Sequence, residues 1–255
     1  MRIKFVQKFI DKLRKKSKNL KRFNLVSEFN DIRINPENIE NIFLDVVGKG
    51  NVVHIDTKLK EHARVNIHIF GDNNRVIIKE GFGLGNVLNI YIGQDHKNFG
   101  KVKNSTFEIG ENSSVESMNY FTYNSNTYCK IGKDCMISSN VTIYNTDAHP
   151  IFDVNTGKIL NKVDGITIGE HCWIGMNAVI LKNSILPDNS ILGLNAVFRG
   201  GGNLSSYCAF AGNPARLVKE NVTWDQNGSN CGYVDGDIVS LKDISYDNRI
   251  GGRKI

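Results

Sequence analysis

The side chains best suited to moving a proton are gathered in one short stretch, Asn145-Thr146-Asp147-Ala148-His149-Pro150. An imidazole both takes and gives a proton near neutral pH, because its ordinary pKa is about 6.5. Asp147 and Asn145 lie near enough along the chain to fix the tautomer of His149. A histidine before a proline is weak evidence on its own, since most histidines are structural or merely exposed. What raises His149 is its place at a break in an otherwise strict pattern, followed 24 residues later by Trp173. Two other motifs are decoys. Gly81-Phe82-Gly83-Leu84-Gly85-Asn86 lacks the third glycine of a dinucleotide fingerprint and opens no visible helix. The histidines at 54, 62, 68, 96, 149 and 171 include no pair five apart, and no two cysteines have the spacing of a zinc knuckle, so no metal is expected.

The elements that must hold these residues follow a period of six. An aliphatic or aromatic residue stands at 168, 174, 180, 186, 192, 198, 204 and 210. Four places after each comes a compact residue: Cys172, Ala178, Ser184, Ser190, Ala196, Gly202, Cys208 and Pro214. Three places after each comes most often asparagine, at 177, 183, 189, 195 and 213, with Gly201 in the same slot and His171 and Tyr207 the exceptions. Six fits neither the helical period of 3.6 nor the strand period of 2. Asn and Gly enter the left-handed backbone region cheaply, so each hexapeptide reads as a short strand and a corner. Three sides make a coil of eighteen residues, and stacked coils bury a column of aliphatic side chains. The fold expected is an all-β parallel β-helix. The frame recurs upstream at Ile109, Val115, Ile131, Ile137 and Ile143, while residues 23–108 read as irregular opening coils. It breaks once, leaving at His149 and re-entering at Ile168, so residues 150–165 form a loop pushed out from a rigid prism. One coil is eighteen residues, which places Trp173 about one coil up and one corner along from His149.

The hexapeptides, the Asn145–Pro150 segment, the His171–Gly175 segment and the closing Ala211-Gly212-Asn213-Pro214-Ala215-Arg216 run together resemble the hexapeptide-repeat acyltransferases, which fold as left-handed parallel β-helices. Within that family the chain is most similar to bacterial capsular polysaccharide O-acetyltransferases that modify polysialic acid. The resemblance covers residues 109 to 224. It implies that His149 is the general base for a sugar hydroxyl that attacks acetyl-CoA directly. It further implies that Trp173 stabilises the oxyanion or positions the acetyl group, packing at a corner being the bland alternative, and Asp147 is the natural partner to orient His149. The pantetheine arm is expected along the coils near Asn177, Ala178 and Ala196, and the nucleotide phosphates near Arg216 and Lys219, whose bland alternative is a solvated helix face. The family's active sites lie in clefts between prisms, so the resemblance implies a homotrimer and a carbohydrate acceptor. An N-acetyltransferase of a nucleotide-linked amino sugar and a non-catalytic β-helix scaffold are the competing readings.

Composition bounds the rest. At 255 residues one elongated domain accounts for the chain: a hexapeptide core over 109–220 and a C-terminal tail over 221–255 in which Gly, Asp and Asn dilute any period. The net charge of +6 is local. Residues 1–22 hold ten Lys or Arg against Asp11 alone, whereas residues 23–255 hold 22 basic against 25 acidic groups. Ile3, Val6, Ile10 and Leu13 fall at helical spacing, so residues 1–22 should form a basic amphipathic helix. That helix either caps the open end of the β-helix or lies on an anionic membrane surface, and the two uses are compatible. No basic surface studded with aromatic residues points to nucleic acid. The absence of a long apolar run or cleavable leader makes a cytoplasmic location the expectation, at the inner face of the membrane if the helix binds there.

Overall fold

The computed structural model describes residues 23–25, 29–95, 100–201 and 204–226. The expected basic helix over 1–22 and the tail beyond residue 226 lie outside the described residues. Apart from one short 3-10 turn at Pro36–Asn41, the described elements are strands. They form a fourteen-stranded and a seven-stranded sheet whose strand pairs are parallel throughout, except where Cys208–Gly212 meets Ala215–Glu220 antiparallel. This is the parallel, all-β stack that the period of six predicts.

In the later part each strand pairs with the strand eighteen residues on. Thr167 stands opposite Ile185, Trp173 opposite Ile191, and Val179 opposite Val197. Three such series define three walls. The first holds Tyr128–Ile131, Gly165–Ile168 and Ile185–Leu186; the second holds Met136–Ile137, Trp173–Ile174 and Ile191–Leu192; the third holds Val141–Tyr144, Val179–Leu181 and Val197–Phe198. Earlier coils are wider. Asp31 pairs with Val52, Ile42 with Val65 and Val52 with Arg75, offsets of 21 to 23 residues. There the second and third walls merge, because Gly83–Ile92 and Ser114–Thr122 run straight through the place where later coils turn. Neither strand puts a residue in the left-handed region at that point, and a bulge between Val115 and Ser117 takes up the bend instead.

The corners behave as the asparagine phase requires. Asn112, Asp134, Asn140, Asn177, Asn183, Asn189 and Asn195 all have φ between 55° and 59°. His171 and Tyr207, the two exceptions in the repeat, adopt the same conformation at 51° and 60°. For such residues it costs on the order of 1–2 kcal/mol, so the stacked coil imposes the turn there rather than the residue. The last unit departs from the frame: Asn213 and Pro214 form the reversal between the two antiparallel strands, not a corner.

The hexapeptide column fills the interior. Ile168, Ile174, Ile180, Leu186, Leu192, Phe198 and Phe210 are buried, and Leu204 is half-buried against them. Compact-slot residues Cys135, Cys172 and Cys208 are buried free thiols. Ile180 lies wholly buried between its register partners Ile143 and Phe198. Ile180→Ala is therefore expected to cost about 2–5 kcal/mol, measured as a lower urea midpoint with an unchanged slope.

Candidate active site

The excursion leaves the third wall after Tyr144 and rejoins the first at Gly165, so its coil spans 37 residues in place of eighteen: Tyr128 pairs with Gly165 and Met136 with Trp173. It is ordered by its own hydrogen bonds. Phe152 bridges Ile159 antiparallel, and Asp153 Oδ1 accepts from the N–H groups of Asn155 and Thr156 and from the Thr156 hydroxyl. Ile151, Phe152, Val154, Ile159 and Leu160 are nevertheless exposed on this hairpin.

His149 stands exposed on the outgoing leg. Its neighbour Ala148 has φ of 62°, and the Ala148 N–H donates to Thr146 Oγ1, which itself donates to Asn124. Asp147 is engaged by Lys182, whose Nζ lies 2.6 Å from Oδ2, and by Asn161, whose Nδ2 donates to the same oxygen at 2.8 Å. Partial burial pushes the Asp147 carboxyl up, but the hydrogen bonds from Lys182 and Asn161 and the Lys182 charge outweigh it and hold the group below the usual carboxylate value. Asn161 Nδ2 also donates to the His149 carbonyl. Asp147 thus reaches the His149 backbone through Asn161. Asn145 turns inward: it is fully buried and its amide donates to the Tyr128 carbonyl, away from the surface where His149 stands.

Trp173 begins its strand on the second wall and is 36% exposed. It stands one corner along from His149 but not one coil up as the eighteen-residue count predicts, because the excursion stretches that coil to 37 residues. The residue one coil up at the His149 corner is Lys182, next to Leu181, which pairs with Tyr144. Its Nε1 lies 3.5 Å from Ser138 Oγ. Behind it the chain's last described segment folds back as a strap. The Val222 N–H donates to the Tyr207 carbonyl, Trp224 Nε1 donates to the His171 carbonyl at 2.9 Å, and Gln226 reaches Ser114. The Trp224 ring stacks on His171 with centroids 4.5 Å apart and lies 6.2 Å from Trp173. The strap therefore covers the corner column that contains both non-asparagine turns. Burial lowers the His171 pKa below its ordinary value, against the upward pull of its Nε2 hydrogen bond to the Trp224 carbonyl.

Asn177, Ala178 and Ala196 lie on the opposite side of the second wall. Asn177 Oδ1 accepts from Asn140, while the Ala178 and Ala196 side chains are buried and their peptide groups bond within the coil stack. What this corner offers outward is Met176 and Leu194, both exposed and one coil apart. Arg216 and Lys219 project from Ala215–Glu220, an exposed strand and not a helix face, at the end of the stack. Among the described residues no group of three or more His, Cys, Asp or Glu is placed to hold a metal, and no helix is long and apolar enough to cross a membrane. His149, Trp173 and Asn177 thus belong to three different edges of one prism. Sequence reading missed Lys182, Asn161 and the Trp224 strap, since their partners lie 14 to 53 residues away.

No family model matches the chain. A polysialic acid O-acetyltransferase of Neisseria meningitidis is 30% identical over 189 residues, spanning 69% of this chain and 86% of its own length. The chain belongs to the hexapeptide-repeat acetyltransferase family. An Escherichia coli polysialic acid O-acetyltransferase is 35% identical over 94 residues, 37% of this chain and only 30% of that relative. The solved structure of the polysialic acid O-acetyltransferase OatWY superposes with a TM-score of 0.59 at 26% identity, covering 77% of this chain and 88% of its own. In this member of the family the strap couples a buried histidine to one of its two tryptophans. With the folded pKa of His171 depressed, strap docking is fully present above about pH 6.5 and weakens as pH falls through the folded value. Tryptophan fluorescence should report that loss on acidification, and His171→Asn, which tolerates the same corner, should abolish it. An identical titration in the variant would sever the histidine from the effect.

Proposed function

We propose that this chain is an acetyl-CoA-dependent O-acetyltransferase acting on a hydroxyl of a bacterial surface glycan, with a sialic-acid-containing capsule polymer as the acceptor. The observation that carries this reading is an exposed imidazole, His149, on an ordered excursion from a rigid prism in a chain related over most of its length to a polysialic acid O-acetyltransferase. Acetyl-CoA supplies the acetyl group as a thioester. His149 takes the proton of the acceptor hydroxyl as that oxygen attacks the thioester carbonyl, and returns it to the departing thiolate. No covalent enzyme intermediate forms.

The three edges carrying His149, Trp173 and Asn177 come together only across a cleft between neighbouring left-handed prisms, so the working enzyme is a homotrimer. In that cleft Trp173 of a second copy faces His149, where its indole positions the acetyl group or steadies the developing oxyanion. Met176 and Leu194 beside Asn177, Ala178 and Ala196 supply an apolar strip for the pantetheine arm. Arg216 and Lys219 meet the nucleotide phosphates as cations. The apolar face of the 150–165 loop closes over the acceptor. The reaction takes place in the cytoplasm, with the basic residues 1–22 in contact with anionic lipid at the inner face of the membrane.

Two experiments test this. His149→Ala should lower kcat/KM for acetyl transfer to purified capsular polymers by about 10²–10⁴-fold with an unchanged melting temperature, because the side chain is exposed. Near-normal turnover in that variant excludes the base. If the cleft is shared, mixing inactive His149→Ala and Trp173→Ala chains through refolding restores a fraction of the activity, since some clefts then hold both intact residues. Mixtures as inactive as either parent place both residues in one chain's site.

A further inference from the structure

Lys182 breaks a rule of the repeat. It shares its slot in the hexapeptide frame with Glu170, Met176, Asp188 and Leu194, all of which are exposed at corners, yet its own side chain is only 9% exposed. The excursion covers it. A buried ammonium needs partners for its three donors, and Lys182 Nζ finds Asp147 Oδ2 at 2.6 Å, the Asn161 carbonyl at 2.9 Å and the Lys162 carbonyl at 3.5 Å. Asp147 lies on the outgoing leg, and Asn161 and Lys162 on the returning one. One cation from the next coil therefore fastens both legs.

Asn161 carries that fastening to His149. Its Nδ2 donates to Asp147 and to the His149 carbonyl, each at 2.8 Å, and its Oδ1 accepts the Ile151 N–H at 2.8 Å, so the backbone is held directly after the imidazole and the Asp147 side chain just before it. The grip adjoins a costly turn, since Ala148 sits in the left-handed region that alanine disfavours by on the order of 1–2 kcal/mol, with its N–H held by Thr146 Oγ1. We infer that Lys182 is a positioning residue for His149, setting through Asp147 and Asn161 the backbone from which the imidazole is presented, without touching the reacting atoms. The inference rests on His149 as the base.

The test is a double-mutant cycle in the full chain, reading steady-state acetyl transfer from acetyl-CoA to capsular polymer. Lys182→Met and, separately, Asn161→Ala should each lower kcat about 10- to 100-fold, with KM for donor and acceptor held within about twofold, as misplacement of a reacting group does. In a His149→Ala background neither should cost anything further, because the group they position is gone. Asn161→Ala removes no charge and keeps the cycle readable if Lys182→Met does not fold. A full additional loss in the His149→Ala background, or a rise in KM alone, overturns the positioning role while leaving the base intact. If His149→Ala is itself as active as the parent, the base assignment falls and the positioning role falls with it.

Discussion

A chain that turns every six residues and still points one side chain of each unit inward must pass through the left-handed backbone region at every corner. That requirement governs the later coils. Where asparagine or aspartate supplies the turn, its cost is small, and walls of two or three residues follow one another at the eighteen-residue offset. Where no residue takes that conformation, as within Ser114–Thr122, two walls fuse into one long strand and the coil widens. Coil size is thus decided at the corners, while the aliphatic column filling the interior is common to both regions.

The same rigidity explains how an irregular segment becomes a defined site. The excursion has few apolar contacts of its own to bury, and its hairpin side chains face outward. What defines it is polar: one buried ammonium from the coil above, one carboxylate and one amide, all mutually satisfied. Such a network is worth little if any member is missing, since the remaining buried groups lose their partners. A fixed prism beneath it is what lets three side chains from distant parts of the chain meet at hydrogen-bonding distance.

At the neighbouring edge the C-terminal strap does comparable work with an aromatic stack. His171 and Tyr207 occupy corners that asparagine would fill more cheaply, and both are bonded by the strap, His171 through its ring and carbonyl and Tyr207 through its carbonyl. Contact with Trp224 and Val222 offsets the backbone cost of the less suitable residue, and the strap ends up beside Trp173.

The core was legible in the sequence because period and residue type both report on local backbone geometry: Ile168 through Phe210 mark the interior, and Asn177, Asn183, Asn189 and Asn195 mark the corners, each recognisable within its own hexapeptide. The break at His149 was legible for the same reason, as an interruption of a period. Sequence alone therefore determined a stacked parallel coil with one excursion carrying a histidine. Tertiary structure alone decided which groups surround that histidine: that Asn145 turns inward, that Asp147 pairs with Lys182, that Asn161 grips the His149 backbone and that Trp224 returns to the Trp173 corner. The Asn161 contact crosses the two legs of the excursion and the others join residues from different turns of the prism, so their partners are set by how the coils and the excursion stack, which no local preference encodes.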